Sequence, residues 1–264
     1  MSYGRVSDLK TRAVMNDAPR NYNDAVVRQF AIATVYGLGY IPSVVFDYVE
    51  LPPELHILPE DLTYNPDKAR WARGRELSRG ELGCYASHVT LWRWFLRESD
   101  LDVLCVLEDD IVIDWSFFDQ FEGVLNQFPQ VDYIRLYAKA PAPFSYLGLT
   151  ASRRHLVRFK HPVFGTQGYL LRRAGAERFL RGLSEVVRPI DDEMDRFWIN
   201  GVPIVAVYPF PLTEIGFETT IGMTRHAPPP LGLAAGTRRF AWRALDKARR
   251  HTYNARLALP NRGA

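Results

Sequence analysis

The chain has 264 residues, 47% hydrophobic and 24% charged, with a formal net charge of +3. That is long enough for a sizeable core and far from a disordered composition, so one folded domain with a tail is expected. Only two cysteines occur, Cys84 and Cys105, both in apolar surroundings, which argues against a disulfide framework or a structural zinc site. The amino-terminal stretch lacks an apolar h-region and no run of eighteen apolar residues exists, so the expected location is cytoplasmic without a membrane span.

In chain order, residues 12–15 read as a first strand, followed by a turn at 16–19 and a helix at 23–35. A second, parallel strand is expected at 40–49. Such a βαβ opening suits a nucleotide-binding half-sheet, with Asn16 and Arg20 in the loop after the first strand placed to hold a base or ribose. Residues 51–80 carry four prolines and many charges and read as an irregular surface segment. Ser78 and Glu81 then form an S-x-x-E capping box that starts a helix. Glu81, Cys84, His88, Leu91 and Phe95 recur at helical spacing on one stripe. A histidine there serves either as a core residue or as part of a site.

The chain is organised around the stretch from Leu101 to Ile113. Leu101 to Leu107 is a run rich in Val and Leu, the pattern of a strand covered on both faces, and it meets Glu108, Asp109 and Asp110 before apolar residues resume at Ile111. Three adjacent carboxylates at the carboxyl end of a buried strand repel one another unless they face water or hold a cation, and a hard divalent ion bridging to a substrate phosphate fits best. A solvated turn has the same local appearance.

Further along, 115–128 reads as a helix, 132–138 as a short strand, 141–160 as mixed loops and 164–172 as a strand. Gly165 and Gly168 in that last strand permit close approach. Residues 173–187 read as an amphipathic helix. Asp191, Asp192, Glu193 and Asp195 follow Pro189 at a helix start, where the dipole favours acids. Residues 202–208 read as a buried strand and 213–225 as a loop ending at His226, a further candidate metal ligand. No GxxxxGK[ST] or GxGxxG motif is present, which disfavours P-loop and dinucleotide enzymes.

Several of these pieces occur together: GELGCYASH at 80–88 with Trp92 after it, LEDD at 107–110, GTQGYLL at 165–171 and PID at 189–191. In that order they resemble glycosyltransferase family 25, the lipopolysaccharide and lipooligosaccharide sugar transferases. The resemblance implies a GT-A type nucleotide-diphospho-sugar transferase, an α/β sandwich with a mostly parallel central sheet. It also implies Mn²⁺ or Mg²⁺ held by Glu108, Asp109 and Asp110, and an inverting transfer from a UDP-hexose, best matched by UDP-galactose. The acceptor hydroxyl, on a glycan or glycolipid, would lose its proton to Asp191 or Asp192, with Glu214 and Glu218 as alternatives. Gln167, Gly168 and Tyr169 would line the sugar pocket and Glu81 and His88 would support it. A metal-dependent nucleotidyl- or phosphotransferase on a similar sheet is the competing reading, and a non-catalytic membrane-surface protein a third.

Residues 231–264 hold eight Lys or Arg against one acid, a net of +7 that leaves −4 for the rest. The organisation expected is therefore a catalytic domain over 1–227 and a Pro/Gly linker with a basic helix over 228–264. No nucleic-acid partner is expected. On that helix Arg239, Arg243, Lys247 and Arg250 gather on one side, an arrangement suited to reversible contact between residues 237–250 and an anionic inner membrane.

Overall fold

The computed structural model describes residues 27–34, 43–48, 58–99, 101–108, 111–118, 120–140, 142–214 and 233–258. The expected strand at 12–15, and Asn16, Arg20, Asp109, Asp110, Glu218 and His226, lie outside them.

The centre is an eight-stranded sheet. Its strands are β1 (Val27–Thr34), β2 (Ser43–Tyr48), β4 (Val103–Glu108), β6 (Tyr133–Arg135), β7 (Phe144–Leu149), β8 (His155–Phe159), β9 (Gly168–Arg172) and β11 (Val205–Tyr208). In space they run β2-β1-β4-β9-β6-β11-β8-β7. Only β6 and β11 pair in parallel; every other neighbouring pair in this sheet is antiparallel. The expected mostly parallel sheet is corrected to a mostly antiparallel one.

The reason is visible along β4. Leu104 and Val106 join one apolar cluster while Val103, Cys105 and Leu107 join the other, so both faces are covered. Cover on both faces produces a continuous apolar run whichever way the neighbouring strands point.

One cover consists of α2 (Arg79–Arg97) and α5 (Arg173–Leu180), which bring Trp92, Phe95 and Phe179 onto the sheet. The other consists of α3 (Trp115–Phe118), α4 (Phe121–Gln127) and β12 (Leu212–Glu214), which contribute Phe117, Phe121, Val124 and Leu212. Each large side chain buried this way contributes about 1.5–3 kcal/mol. Helix α2 begins as its sequence dictates: Ser78 Oγ accepts from the Glu81 amide at 3.2 Å and the Glu81 carboxylate accepts from the Ser78 amide at 2.9 Å. Its far end is held by Arg173, whose guanidinium donates to the carbonyls of Phe95 at 3.0 Å and Leu96 at 2.6 Å.

Other segments depart from expectation. The helix expected at 23–35 is the strand β1, hairpin-like with β2 in an antiparallel register, because its short Val- and Ile-containing run satisfies either period. The segment 51–80 contains β3 (Thr63–Tyr64) and α1 (Pro66–Arg73), the helix opened by Asn65, whose side chain accepts from the Lys68 amide at 3.0 Å, and closed by Gly74 at φ 84°. Residues 144–159 form the hairpin β7–β8 rather than loops. The helix expected over 173–187 stops at Leu180, and β10 (Glu185–Val186) pairs with β3. The three-residue strand β5 (Ile111–Ile113) pairs with β12.

Gly168 opens β9 directly beneath β12. A Cβ there would overlap Leu212 Cδ1 and press on Leu107 at 3.2 Å. Gly168→Ala is expected to cost about 1–3 kcal/mol by overpacking, read as a lower urea midpoint at unchanged slope.

The basic helix is α8 (Leu233–Ala258), within the expected 228–264. It lies against the body, where Tyr253 meets Phe197 of α7 (Phe197–Asn200) with ring centroids 5.2 Å apart. Asp246 accepts from Arg188, Arg196 and the Trp198 indole at 3.0–3.3 Å, and Asn254 donates to the Lys160 carbonyl at 2.9 Å. No described helix is long and apolar enough to cross a membrane.

Candidate active site

Strand β4 ends at Glu108, whose amide donates to the Gln167 carbonyl at 2.9 Å, so the carboxylate sits at the carboxyl end of β4 beside the entry to β9. There the Thr166 hydroxyl donates to Glu108. Helix α2 passes behind, offering Cys84 and His88. The Cys84 sulfur, a His88 ring nitrogen and a Glu108 oxygen lie within 4.8 Å of one another.

His88 is sealed in the core. Trp92 Nε1 donates to the Tyr169 hydroxyl at 2.8 Å, and that hydroxyl lies 2.7 Å from His88 Nδ1. With the phenol oxygen accepting from the indole, the network assigns the phenol proton to Nδ1 and leaves Nε2–H facing Glu108 Oε1 at 3.9 Å. Burial, reinforced by the charge of Arg135, lowers the imidazole to about 3, so it is neutral. Between pH 6.5 and 3 the unfolded chain binds a proton that the folded chain does not, so stability falls as pH falls through that window. The difference in unfolding free energy between the wild type and His88→Gln is expected to change by about 1.4 kcal/mol per pH unit between about pH 6 and 4. Denaturant titrations at three pH values across that range measure it, and a constant difference contradicts it.

The turn before β9 is held from below. Phe164 at φ 55° and Gly165 at φ 86° both adopt the left-handed conformation, which costs a phenylalanine more than a glycine. The buried Asp195 carboxylate accepts from the amides of Val163 at 2.8 Å and Phe164 at 2.7 Å. Arg135, which is 1% exposed, donates to that carboxylate and to the carbonyls of Phe164 and Gly165. Burial outweighs Arg135 and raises the Asp195 carboxyl to about 6, so the pair is fully ionised only above that pH.

On the same turn the Gly165 amide donates to Asp191 Oδ2 at 3.2 Å, and Asp191 Oδ1 accepts from the Asp192 amide at 2.8 Å. Asp191, in the first turn of α6 (Ile190–Met194), therefore faces the Glu108 edge. Burial pushes the Cys84 thiol well above its ordinary value, and the charges of Glu108 and Asp191 add to the effect.

The expected site residues thus separate into groups. Glu108, Gln167, Gly168 and Asp191 gather at one edge, and Glu214 joins them from β12, its carboxylate accepting from Tyr137 at 2.9 Å, Lys139 at 3.1 Å and Gln167 Nε2 at 3.2 Å. His88 and Tyr169 lie behind that edge, inside the core. Glu81 is engaged by the helix cap and by Arg75, at 2.7 and 2.5 Å. Asp192 turns away from Asp191 to Arg188 at 3.1 Å and Arg73 at 3.3 Å. Sequence reasoning misses Thr166, Arg135 and Asp195 as parts of the site. Thr166 lies within the GTQGYLL motif, but its partner Glu108 is 58 residues away, and Arg135 and Asp195 are 60 apart, so no local pattern marks either pairing.

For a divalent ion the donor chemistry matters. Cys84 and His88 offer a buried thiol and an imidazole tied to Tyr169, a poor match to hard Mg²⁺ or Mn²⁺. A carboxylate run continuing from Glu108 offers the oxygens those ions take.

Comparison with known proteins gives the family of the chain. A model of glycosyltransferase family 25, described as an LPS biosynthesis protein family, matches residues 52–194, which include α2, β4, the Thr166 turn and Asp191. Procollagen galactosyltransferase 1-B of Xenopus laevis is 31% identical over 40% of this chain, and procollagen galactosyltransferase 1-A of the same species 29% over 48%. The matched segments span 18% and 21% of those two proteins. The lacto-N-neotetraose biosynthesis glycosyltransferase LgtE of Neisseria meningitidis serogroup B is 25% identical over 72% of this chain and 70% of its own length. The chain belongs to glycosyltransferase family 25, a family of sugar transferases.

Proposed function

We propose that the protein is an inverting galactosyltransferase that moves galactose from UDP-galactose to a hydroxyl of a lipopolysaccharide-type glycan, on a GT-A type fold. The observation that carries this reading is the position of Asp191: a half-buried carboxylate aimed at the Gly165 turn, beside the strand end where Glu108 begins the acidic run. In the transfer, Asp191 accepts the acceptor's hydroxyl proton as that oxygen bonds to the sugar's C1. The bond from C1 to the diphosphate oxygen breaks at the same time, and UDP leaves with the electron pair.

Glu108, Asp109 and Asp110 are assigned to Mn²⁺ or Mg²⁺, which when bound would offset charge on the departing diphosphate. Thr166 keeps the Glu108 carboxylate in place, His88 lies 3.9 Å behind it, and Tyr169 and Trp92 keep His88 in place. Gln167 and Glu214 offer an amide and a carboxylate to the sugar's hydroxyls, while Asn16 and Arg20 are assigned to the donor's base and ribose. Asp192, neutralised by two arginines, is assigned a structural part.

Support for galactose comes from the names of the two frog relatives, and support for a bacterial glycan from the Neisseria relative. The test is incubation with UDP-galactose, UDP-glucose and UDP-N-acetylglucosamine, each with Mn²⁺, and mass analysis of candidate oligosaccharide acceptors. UDP release and a hexose added only from UDP-galactose, both lost on chelation, are expected. Turnover of another donor in preference, or none of the three, refutes the assignment.

A further inference from the structure

A cavity of about 900 Å³ separates α8 from the body of the protein. The cations of α8 that line it are Arg239, Arg243, Lys247 and Arg250, and the body adds Arg73 and Arg188. Against these six stand two lining carboxylates, Asp192 and Asp246, a surplus of four positive charges in a concave space. The two acids are already shared: Asp192 with Arg73 and Arg188, Asp246 with Arg188 and Arg196.

Like charges brought together in a recess repel and lose water, so the arrangement is costly until an anion enters. The cost is visible at individual residues. Arg188 is 7% exposed, and its Nε, like those of Arg239 and Arg250, is buried without a hydrogen-bond partner. Burial lowers the Arg250 guanidinium below its ordinary value, although Asp246 opposes the shift. Arg250 also lies over the Trp198 ring, 5.7 Å from its centroid, which gives the cavity an aromatic wall beside its charges.

Position relates the cavity to the transfer site. Asp192 lines it and directly follows Asp191, and Arg73 lines it while lying over the Phe164 ring at 5.8 Å. We infer that this cavity binds a phosphate monoester carried on a sugar of the acceptor glycan. Guanidinium forks suit phosphate oxygens, the aromatic wall suits a sugar ring, and the volume exceeds that needed by a phosphate alone. The nature of the attached molecule rests on the glycosyl-transfer reading; the anion site itself does not. The site also changes the purpose of the basic helix. Its cations turn toward a recess in the same molecule, where the amino-acid pattern alone suggested a bilayer.

Calorimetric titration of the full chain with glucose 6-phosphate, without donor or metal, tests the site even if no transfer activity is found. Saturable binding to the wild type and none of galactose at the same concentrations are expected. The exposed positions allow the double variant Arg243→Gln/Lys247→Gln to fold, and it should weaken binding about tenfold or more for each cation removed. Arg249→Gln, on the same helix but outside the cavity, should leave it unchanged. Equal affinity in the double variant overturns the proposal. So does displacement of glucose 6-phosphate by UDP at equal concentration, which would make the cavity a donor site. Binding to phosphatidylglycerol vesicles with no response to glucose 6-phosphate also overturns it, in favour of a membrane surface.

Discussion

Asp191→Asn is expected to lower the turnover number by about 10²–10⁴-fold, the usual contribution of a positioned general base. The substitution is nearly isosteric. The new carboxamide keeps an oxygen for only one of the amides of Gly165 and Asp192 and turns its NH2 toward the other, so the proton acceptor is gone together with part of the turn's support. The protein should lose about 1–3 kcal/mol of stability, while the donor's KM should stay within a few-fold, because the loss of turnover falls on a step after binding. Asp192→Asn separates the two neighbours. Its carboxylate is held by Arg188 and Arg73, so its removal should cost stability because Arg73 loses its carboxylate and Arg188 keeps only Asp246, and should leave turnover within about tenfold. Steady-state kinetics on both variants decides between them: if Asp192→Asn is the inactive one, the base is the wrong aspartate.

Arg135→Met is expected to be the most destabilising single change in the described core, at about 3–5 kcal/mol, since it leaves the Asp195 carboxylate buried without its cation. The loss extends to the Phe164 and Gly165 carbonyls, which lose their donor at the point where the backbone is left-handed. Thr166 and Gln167 follow this turn directly, so activity should fall even at temperatures where the variant remains folded. Adding Asp195→Asn to Arg135→Met should restore part of the stability. The amide removes the buried charge while its carbonyl oxygen still accepts from Val163 and Phe164. Urea denaturation of the two single variants and the double variant measures this, and a double variant less stable than Arg135→Met alone contradicts the electrostatic origin of the loss.

Where the responsible forces act between near neighbours, the fold is legible in the sequence. Ser78 and Glu81 are three residues apart, and the capping box they spell is the box observed. The run before Glu108 spells a doubly covered strand, and β4 is one. Asn65, Pro66 and Gly74 also spell a helix, with a cap, a first-turn proline and a left-handed stop. The neighbouring prolines and charges mask that signal. Strand direction is not legible, because a strand buried on both faces carries the same apolar residues between parallel or antiparallel neighbours. Neither is the support beneath the site. Arg135 sits in a segment with no local oddity and Asp195 in an acidic run that the helix start already explains, and their pairing exists only once β6 and the residues after α6 are brought together. Tyr169 reads from sequence as a ring facing a sugar, whereas the hydrogen bonds from Trp92 and to His88 draw it into the core. Sequence alone does not say which face of β9 meets α2.

The proposed chemistry turns on one location, the end of β4. A crystal structure of the protein with UDP-galactose and Mn²⁺ tests it most directly. The diphosphate is expected at the acidic run that begins with Glu108, and the galactose C1 on the side of Asp191 and Thr166. A donor bound in the recess under α8, or anywhere that leaves Glu108 and Asp191 facing only water, would contradict it.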